Sequence, residues 1–536
     1  MGSLTLRRHG AVLDARDFGA ACDGSTTDTT AIQAAIDFAS APLGDTAFRI
    51  GGSGTDYTLR VFVKGVLLGT TSTIAAAAST ATIQAALEAI SGLSGKVTVG
   101  APTFGDGGSD AVFVRSLGHV MLLSSYHSSY PNGPIIYPRP GSRGPGGVVW
   151  VPGLAKIDAT LRVYSDNVRI QTGRSSPGLV LGSGVEALYG GGYSSGIVWG
   201  GADAGGPMVK IQPVGSFTLS GVGFDGTLIA GAYPFTTAAN TGLVISGVTA
   251  SRFDHVHTVE FKADGVLMTT DIATRGDDYL DWSVSYCQFG FMGGRQWVNG
   301  GNAIRLTGDA GTAGVYVQNV YANTFDTIYC FYRKGSGLVM DDCDSNWFRN
   351  VSCIAHSTSA VALTTSAAAD DIVDTSVTHD IDVNDVVRFV SLTGGAGLTV
   401  ATPYYVISGS HGATTLQVST TLAGSAVNFT TDITAGVITA GCGVLMRAVD
   451  AGASRLNHFD QVMCGTGGFV LEGTNVDTTV AHSVVVNHFY PNTGHHSGPS
   501  TPTLGAGTEA TWNNTRSSGT DGYGSPPHMA ADAFPW

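Results

Sequence analysis

The sequence predicts an all-β fold of the solenoid type, in which parallel strands stack coil upon coil. Three observations lead to this prediction: a turn-rich composition, a phenylalanine that recurs along the second half of the chain, and a capped helix near the N-terminus. The 536 residues include 75 glycines, and 13% of them are charged whereas 43% are hydrophobic. This composition is too hydrophobic for a disordered chain and too rich in glycine for a helical enzyme.

The N-terminal helix is predicted within residues 14 to 38, which read as a short strand, an Asp-Gly turn and an amphipathic helix. Asp28 or Thr29 is placed to accept hydrogen bonds from the first free amides of that helix. The apolar stripe at helical spacing consists of Ile32, Ala35 and Ile36. A solenoid needs such a cap, because its terminal coil otherwise exposes apolar side chains and unpaired backbone groups.

Beyond residue 215 a phenylalanine recurs in a similar setting. Its positions are Phe224, Phe253, Phe289, Phe325, Phe348, Phe459 and Phe489. Most steps correspond to one coil of a repeat protein, which takes roughly 20–50 residues. Asparagine stands two positions earlier in four cases, at Asn323, Asn346, Asn457 and Asn487. We expect the phenylalanines to stack in the core and the asparagines to form a hydrogen-bonded ladder along a turn. The alternative is chance spacing in a β-sandwich.

Two intervals are too long for this repeat, and we interpret them as inserted modules. The first, 42–143, has strand-like segments at 57–64 and 111–115 and a helix from about 80 to 90. The second, 367–440, alternates in the manner of strands around glycine-rich turns. The predicted divisions are a cap at 1–41, a small α/β insertion at 42–143, solenoid coils at 144–366, a small β insertion at 367–440, the last coils at 441–490 and a turn-rich tail at 491–536.

The opening resembles that of pectate-lyase-like right-handed parallel β-helix proteins. The matching motifs are Asp17-Phe18-Gly19-Ala20, Asp23-Gly24, Asp28-Thr29 and Ala31-Ile32-Gln33-Ala34-Ala35-Ile36. In that family a strand of the type Gly-Gly-x-Val-x-Val-Pro follows shortly afterwards. Here the matching strand is Gly146-Gly147-Val148-Val149-Trp150-Val151-Pro152, displaced by about a hundred residues. The resemblance implies a right-handed parallel β-helix with an N-terminal capping helix and two small inserted modules.

Cap, repeat and insertions together resemble a phage tailspike or a related tail protein. Such proteins are usually homotrimers that bind or cleave surface polysaccharides. The resemblance therefore implies a host cell-surface polysaccharide as partner, a homotrimer, other phage tail proteins as neighbours, and a virion location after synthesis in the host cytoplasm. Because the cap begins near residue 11, no separate particle-binding domain is expected before it. Attachment is then expected through the base of the β-helix, an insertion or another protein.

Charge and hydropathy argue against some partners. The net charge of −14 argues against nucleic acid, because binding phosphates requires clustered lysine and arginine. The sequence shows no secretory signal and no apolar segment long enough to span a bilayer, so no membrane insertion is expected. Seven cysteines are scattered without a Cys-x-x-Cys pair, which indicates buried reduced thiols rather than a disulfide or metal framework.

Candidate catalytic residues are carboxylates, because glycan hydrolysis requires two carboxyl groups about 5–10 Å apart on one surface. Glu260 lies in the central coils, and Asp278 and Asp342 belong to two aspartate clusters, 277–281 and 341–344. The two clusters share a face only if the registers of their coils agree. The alternative is a structural role in turns and solvated loops for all of them.

Two further features of these clusters bear on mechanism. In an extended strand, Asp341 and Asp342 would point to opposite faces. A lyase would instead use a basic residue beside acidic ones, and Lys262 near Asp264 is the nearest candidate.

Candidate glycan-binding residues are Trp282, Tyr329 and Tyr332, because aromatic rings stack on the apolar faces of sugars. The alternative is that these rings fill the core. His255 and His257 fall on one strand face, but no third ligand has a diagnostic spacing, so neither a metal nor a cofactor is predicted. Three functions remain open: a glycan-binding spike without activity, a polysaccharide depolymerase of hydrolase or lyase type, and a structural tail component without glycan activity.

Overall fold

The computed structural model describes most of the chain between residues 12 and 517. The described residues are 12–101, 108–124, 134, 136–139, 144–173, 195–213, 219–230, 239–270, 283–296, 302–308, 320–332, 335–355, 361–379, 381, 383, 385–400, 403–420, 424–441, 443–447, 454–464, 469–472, 476–485, 503–504, 508–512 and 515–517. The fold is mostly β, with α-helices at Thr29–Ser40 (α1) and Thr80–Glu88 (α2) and short 3-10 helices at Ala15–Phe18 and Arg115–Leu117. Within this described part, no helix is long and apolar enough to cross a membrane.

The largest sheet, which we call the long sheet, is built from parallel strands. In spatial order its main path is Val12–Asp14, Gly147–Val151, Val168–Thr172, Gly223–Ala230, Arg252–Val259, Gln288–Gln296, Thr324–Tyr332, Trp347–Ala355, Ser454–Cys464, Val476–Val485 and Thr508–Trp512. Four strands pair beside this path: Asp23–Thr27, Leu154–Ile157, Gly196–Trp199 and Thr515–Ser517. The spatial order of the main path follows the order of the sequence, so each strand lies on the one before it.

Two further parallel sheets run alongside. The middle sheet contains Leu161–Val163, Val209–Ile211, Thr241–Ile245, Asp264–Thr269, Asn302–Thr307, Leu338–Asp341, Val444–Arg447, Phe469–Glu472 and Thr503–Leu504. The short sheet contains Leu219–Ser220, Val248–Thr249, Val284–Ser285 and Val320–Tyr321. The central chain passes repeatedly through the short, long and middle sheets, and we call one such passage a coil. Because every sheet pairs in parallel, all coils run in the same direction around one core.

The N-terminal cap closes this core as the apolar stripe predicts. Strand Val12–Asp14 pairs with Gly147–Val151, although the first insertion separates them in sequence. On α1, Ile32, Ala35 and Ile36 are fully buried in the core of the coils. The helix is tied to that core by polar contacts too, since the Tyr164 hydroxyl donates to Oδ1 of Asp37 over 2.7 Å.

The predicted cap of α1 is wrong in its detail. Asp28 occupies the N-cap position, but its side chain does not bond the helix. Its two carboxylate oxygens accept instead from the backbone N–H groups of Ala21 and Cys22, at 2.6 and 3.0 Å. Thr29 exchanges hydrogen bonds with Asp158. The Asp28 carboxylate thus fixes the loop before the helix instead of the first turn of the helix.

The predicted phenylalanine stack is confirmed. Phe253, Phe289, Phe325, Phe348 and Phe459 lie in register on successive strands of the long sheet. Their rings are stacked, with centroid distances of 5.0, 4.6, 4.7 and 4.5 Å. The row does not continue to Phe489, which lies outside the described residues, because the position after Phe459 is taken by Val480. Parallel pairing also extends past residue 490, since Val480 is followed in register by Trp512.

The asparagine ladder is confirmed for three of its four members. The side-chain amide of Asn323 donates to Oδ1 of Asn346 over 3.0 Å, and that of Asn346 donates to Oδ1 of Asn457 over 3.1 Å. The next register position belongs to Thr478, and Asn487 lies outside the described residues. The preceding corner residue of each coil has a left-handed backbone with φ between 45° and 65°, and these residues are Gly221, Ala250, Tyr286, Ala322, Ser345 and Leu456.

The first insertion has its own hydrophobic core and more strands than the sequence indicated. Helix α2 starts after Ser79, whose hydroxyl oxygen accepts from the N–H of Thr82, and buries Ile83 and Leu87. The strands form two antiparallel sheets, and they are Thr46–Ile50, Leu59–Val63, Val66–Thr70, Val97–Gly100, Ser109–Phe113, Val120–Ser124 and Ile136–Pro138. Its first and last strands are neighbours, because Phe48 pairs with Pro138 and Ile50 with Ile136.

The second insertion is an antiparallel sheet with a third hydrophobic core. Its strands in spatial order are Val361–Leu363, Ile433–Ala440, Val386–Gly394, Pro403–Ile407, Thr415–Ser419 and Val373–Asp374. Strands are present within the predicted interval 367–440, and Val361–Leu363, which precedes that interval, also belongs to this sheet. The parallel sheets continue beyond the insertion without loss of register, since Met340 of the middle sheet pairs with Met446.

Candidate functional site

The outer face of the long sheet carries the side chains on either side of each stacked phenylalanine. Side chains alternate along a strand, so the neighbours of a core phenylalanine point away from the core. The row before the phenylalanines contains Arg252, Gln288, Thr324, Trp347 and His458. The row after them contains Asp254, Gly290, Asp326, Arg349 and Asp460. All ten residues are exposed or half-buried, so the two rows form a continuous surface along five coils.

The charges of this surface are arranged in ion pairs. Arg252 bonds Asp254, with Nη2 2.7 Å from Oδ2, and Arg349 bonds Asp326, with Nη1 2.8 Å from Oδ1. A Cβ at Gly290 would collide with Oδ1 of Asp254, so the missing side chain lets this carboxylate lean over the next coil. Exposed pairs of this kind add little to stability. Their effect is to fix two planar, hydrogen-bonding groups on the face.

Further along the same strands lies a group of rings that we call the ring cluster. It consists of His255, His257, Phe291, Tyr329 and Phe331, all half-buried. His255 stacks on Phe291 with ring centroids 6.0 Å apart, and Tyr329 meets Phe331 edge-on at 5.0 Å. A Cβ at Gly293 would lie 2.8 Å from His257 and 2.9 Å from Phe291, so both rings cover this glycine. Tyr329 pairs in register with Gly293, which completes the cluster.

Of the three predicted glycan-binding residues, the structure thus places one on an outer face. Tyr329 is half-buried among the other rings of the ring cluster. Trp282 lies outside the described residues. Tyr332 ends its strand in the long sheet, and its side chain is likewise outside the described part.

Sequence reasoning did not select the most exposed rings of this region. Tyr286 is 64% exposed and Trp347 is 49% exposed. Tyr286 meets Tyr321 edge-on at 5.7 Å, and Trp347 lies against His458 with ring centroids 4.1 Å apart. A signal for Trp347 was present, because a residue directly before a core phenylalanine must face outward.

Two of the predicted catalytic carboxylates, Glu260 and Asp342, follow strands of different sheets. Glu260 follows the long-sheet strand of its coil, whereas Asp342 follows the middle-sheet strand two coils later. Both side chains are buried, at 1% and 6% exposure. Asp278 lies outside the described residues.

The expected alternation of Asp341 and Asp342 is wrong for a backbone reason. The strand ends at Asp341, and Asp342 has φ of 52°, which turns the chain out of the extended conformation. Both residues are buried. Asp341 is held by Arg305, with Nη2 2.9 Å from Oδ2, and this contact gives it a structural role on the middle sheet.

Lys262 and Asp264, the candidate lyase residues, have different polar partners. Lys262 reaches Asp203, with Nζ 3.2 Å from Oδ1, while Asp264 accepts from the side-chain amide of Asn302 over 3.0 Å. Asp264 is 4% exposed, and this burial raises the pKa of its carboxyl group above the ordinary value. It belongs to a buried polar corner between the long and middle sheets, where Gln296 also accepts from the N–H of Phe261. Among the described residues, no three potential metal ligands gather in one place.

Comparison with known proteins gives structural likenesses only. No family model matches the sequence, and no curated protein matches it. The structure is similar to ORF18 of Geobacillus virus E2, at 10% identity and a TM-score of 0.34, over 94% of this chain and 60% of that one. It is similar to the tailspike protein gp49 of Acinetobacter baumannii bacteriophage Fri1, a capsular polysaccharide depolymerase, at 12% identity and a TM-score of 0.27, over 69% and 51% of the two chains.

A third likeness is to the catalytic domain of a GH87 α-1,3-glucanase in complex with nigerose. Identity is 9% and the TM-score 0.26, over 89% of this chain and 86% of that one. Against the two phage proteins, this chain spans only about half to three fifths of their length. At these identities and TM-scores the likenesses carry no argument about function, which has to be based on the surface itself.

Proposed function

We propose that the protein is a phage tail protein that binds a host cell-surface glycan through the outer face of the long sheet. The observation that carries this proposal is the surface of five successive coils, on which exposed rings stand beside hydroxyl, amide and carboxylate groups. Sugars present apolar ring faces and polar edges, and a surface of rings and hydrogen-bonding groups complements both.

The same proposal includes the finer architecture. The register of three parallel sheets supports a right-handed parallel β-helix, capped by α1, and the three separate hydrophobic cores support two inserted modules. We propose that the chain forms a homotrimer within the virion, beside other tail proteins. Light scattering on the purified protein tests this directly, because a trimer has three times the chain mass of 55.0 kDa.

The binding proposal is tested with polysaccharide purified from the host envelope. The expected result is saturable binding by the wild type, weakened by Tyr329→Ala in the ring cluster. Tyr137→Ala is the matched control, because Tyr137 is an exposed tyrosine of the first insertion. If the wild type binds no envelope glycan and copurifies with tail proteins instead, the chain is a structural tail component.

Degradation of the glycan is a separate part of the proposal. Glu260, Asp278 and Asp342 remain the candidate catalytic residues of a depolymerase. The test measures new reducing ends after incubation with the polysaccharide, for the wild type and for Asp278→Asn and Asp342→Asn. Because Asp342 is buried, its variant also needs an unfolding curve that matches the wild type. Binding without new reducing ends identifies a spike without enzymatic activity.

A further inference from the structure

Four rings line the corner where the chain enters the long sheet, and we call them the corner stripe. They are Tyr286, Tyr321, Trp347 and His458. Each belongs to a different one of four successive coils, which follow one another in the long sheet. Neighbouring rings touch in two pairs, at 5.7 Å for the tyrosines and 4.1 Å for tryptophan with histidine. Within each pair the two rings belong to adjacent coils, whose paired strands are about 4.8 Å apart. Trp347 and His458 stand directly before their core phenylalanines, whereas Tyr286 and Tyr321 stand three and four residues before theirs, so the stripe shifts sideways between the two pairs.

The backbone does not explain the tyrosine at position 286. Its φ is 54°, a left-handed conformation that glycine and asparagine adopt more easily than an aromatic residue. The ring recovers little of this cost by burial, because it is 64% exposed. Trp347 is also half in solvent, although the alternating pattern would accept any polar residue there. Two exposed large rings on one stripe indicate a surface that contacts something else.

The polar groups beside the stripe indicate what that ligand is. Gln288 and Thr324 occupy the same row as Trp347 and offer amide and hydroxyl groups. In the adjoining row Arg349 is already ion-paired with Asp326, and Arg252 with Asp254. With its arginines neutralised, the two-row surface has no excess positive charge for an anionic polymer, and the chain as a whole carries −14. Hydroxyl-rich, uncharged rings match this surface best.

We propose that the corner stripe binds an uncharged polysaccharide that lies along the coil axis, with its sugar rings stacked on Tyr286 and Trp347. This inference rests on the proposed glycan-binding function and specifies its ligand class and its site. One coil step is close to the length of one pyranose ring, so a linear glycan meets an aromatic or hydrogen-bonding group at each coil. Stacking on exposed rings explains why large side chains are kept where the fold does not need them.

The experiment uses the full chain and envelope polysaccharide of the host, separated by anion exchange into an uncharged and an acidic fraction. Affinity is measured for the wild type, Tyr286→Ala, Trp347→Ala and Trp347→Phe. Tyr137→Ala is the control, because Tyr137 is 50% exposed on the first insertion, away from the coils. Both alanine variants change exposed side chains, so their unfolding curves should equal that of the wild type.

The expected result is binding of the uncharged fraction that 0.5 M salt does not weaken, with affinity lowered about tenfold by each alanine variant. Trp347→Phe should retain most of the affinity, since it keeps a flat ring, and the control should bind like the wild type. Binding of the acidic fraction alone overturns the ligand class. Unchanged affinity in both alanine variants overturns the stripe but leaves the proposed function standing. No binding of either fraction by the wild type overturns the proposed function and this inference together.

Discussion

Removing one member of the asparagine ladder should cost more stability than most single substitutions in this chain. Asn346 is 1% exposed and makes four side-chain hydrogen bonds. It donates to the carbonyl of Val320 over 2.8 Å and to Asn457 over 3.1 Å, and it accepts two bonds from Asn323, at 3.2 and 3.0 Å. At about 1 kcal/mol per bond, Asn346→Ala should lower the free energy of unfolding by about 4 kcal/mol. The loss is this large because the partners stay buried.

Urea unfolding followed by tryptophan fluorescence measures the effect. Asn350→Ala is the matched control, because Asn350 is exposed and makes one side-chain hydrogen bond, to the carbonyl of Asp326. The control should change the free energy of unfolding by less than about 1 kcal/mol. If the two variants have the same midpoint and slope, the ladder does not stabilise the corner and the reasoning fails.

Three further outcomes follow from the same structure. Phe348→Ala removes a fully buried ring and should cost about 3–5 kcal/mol by urea unfolding, whereas Phe348→Leu, which keeps most of the apolar volume, should cost clearly less; equal costs would contradict a contribution from buried volume. Burial raises the pKa of the Asp264 carboxyl above its ordinary 3.8. Its stabilising contribution is therefore complete below pH 3.8 and is lost as pH rises through the folded pKa. Asp264→Asn should gain stability relative to the wild type as pH rises above 3.8, and a constant difference would refute this. Burial raises the pKa of Cys287 to about 12 and also raises the pKa values of Cys343 and Cys353. Peptide mapping after thiol labelling of the native protein should therefore find the half-buried Cys22 labelled before these three fully enclosed thiols; labelling of Cys343 before Cys22 would contradict its burial.

The sequence was informative wherever one residue type repeats at one structural position. Phe325 and Phe348 mark the core, and Asn323 and Asn346 mark the corner, because stacking of equal coils brings equal side chains together. The phenylalanine row ends at Phe459, because the register position in the next coil belongs to Val480. A core position accepts several apolar residues of similar volume. The residue type alone therefore does not show where a row of core residues ends in the sequence.

The candidate site was harder to predict because backbone conformation decides which way its side chains face. Glu260 and Asp342 have positive φ values of 62° and 52°, and both are buried. The sequence did not predict this backbone conformation at either position. The corner residues Ala322 and Leu456 are left-handed too, although neither type favours that region. The sequence does predict that Trp347 faces outward, because it stands beside Phe348, but this prediction depends on the phenylalanine row being in the core.

The pairing of the first and last strands of the first insertion has a consequence for folding order. A nascent chain releases α1 long before Tyr164, the residue that holds it through Asp37, is synthesised. The insertion between them has a core of its own and can fold first, which brings Ile50 beside Ile136. The effective loop between cap and coils then shrinks from about a hundred residues to about sixteen, and its closure becomes easier by about 1.6 kcal/mol. Early folding of the insertion thus reduces the entropy lost when the cap pairs with its partner strand.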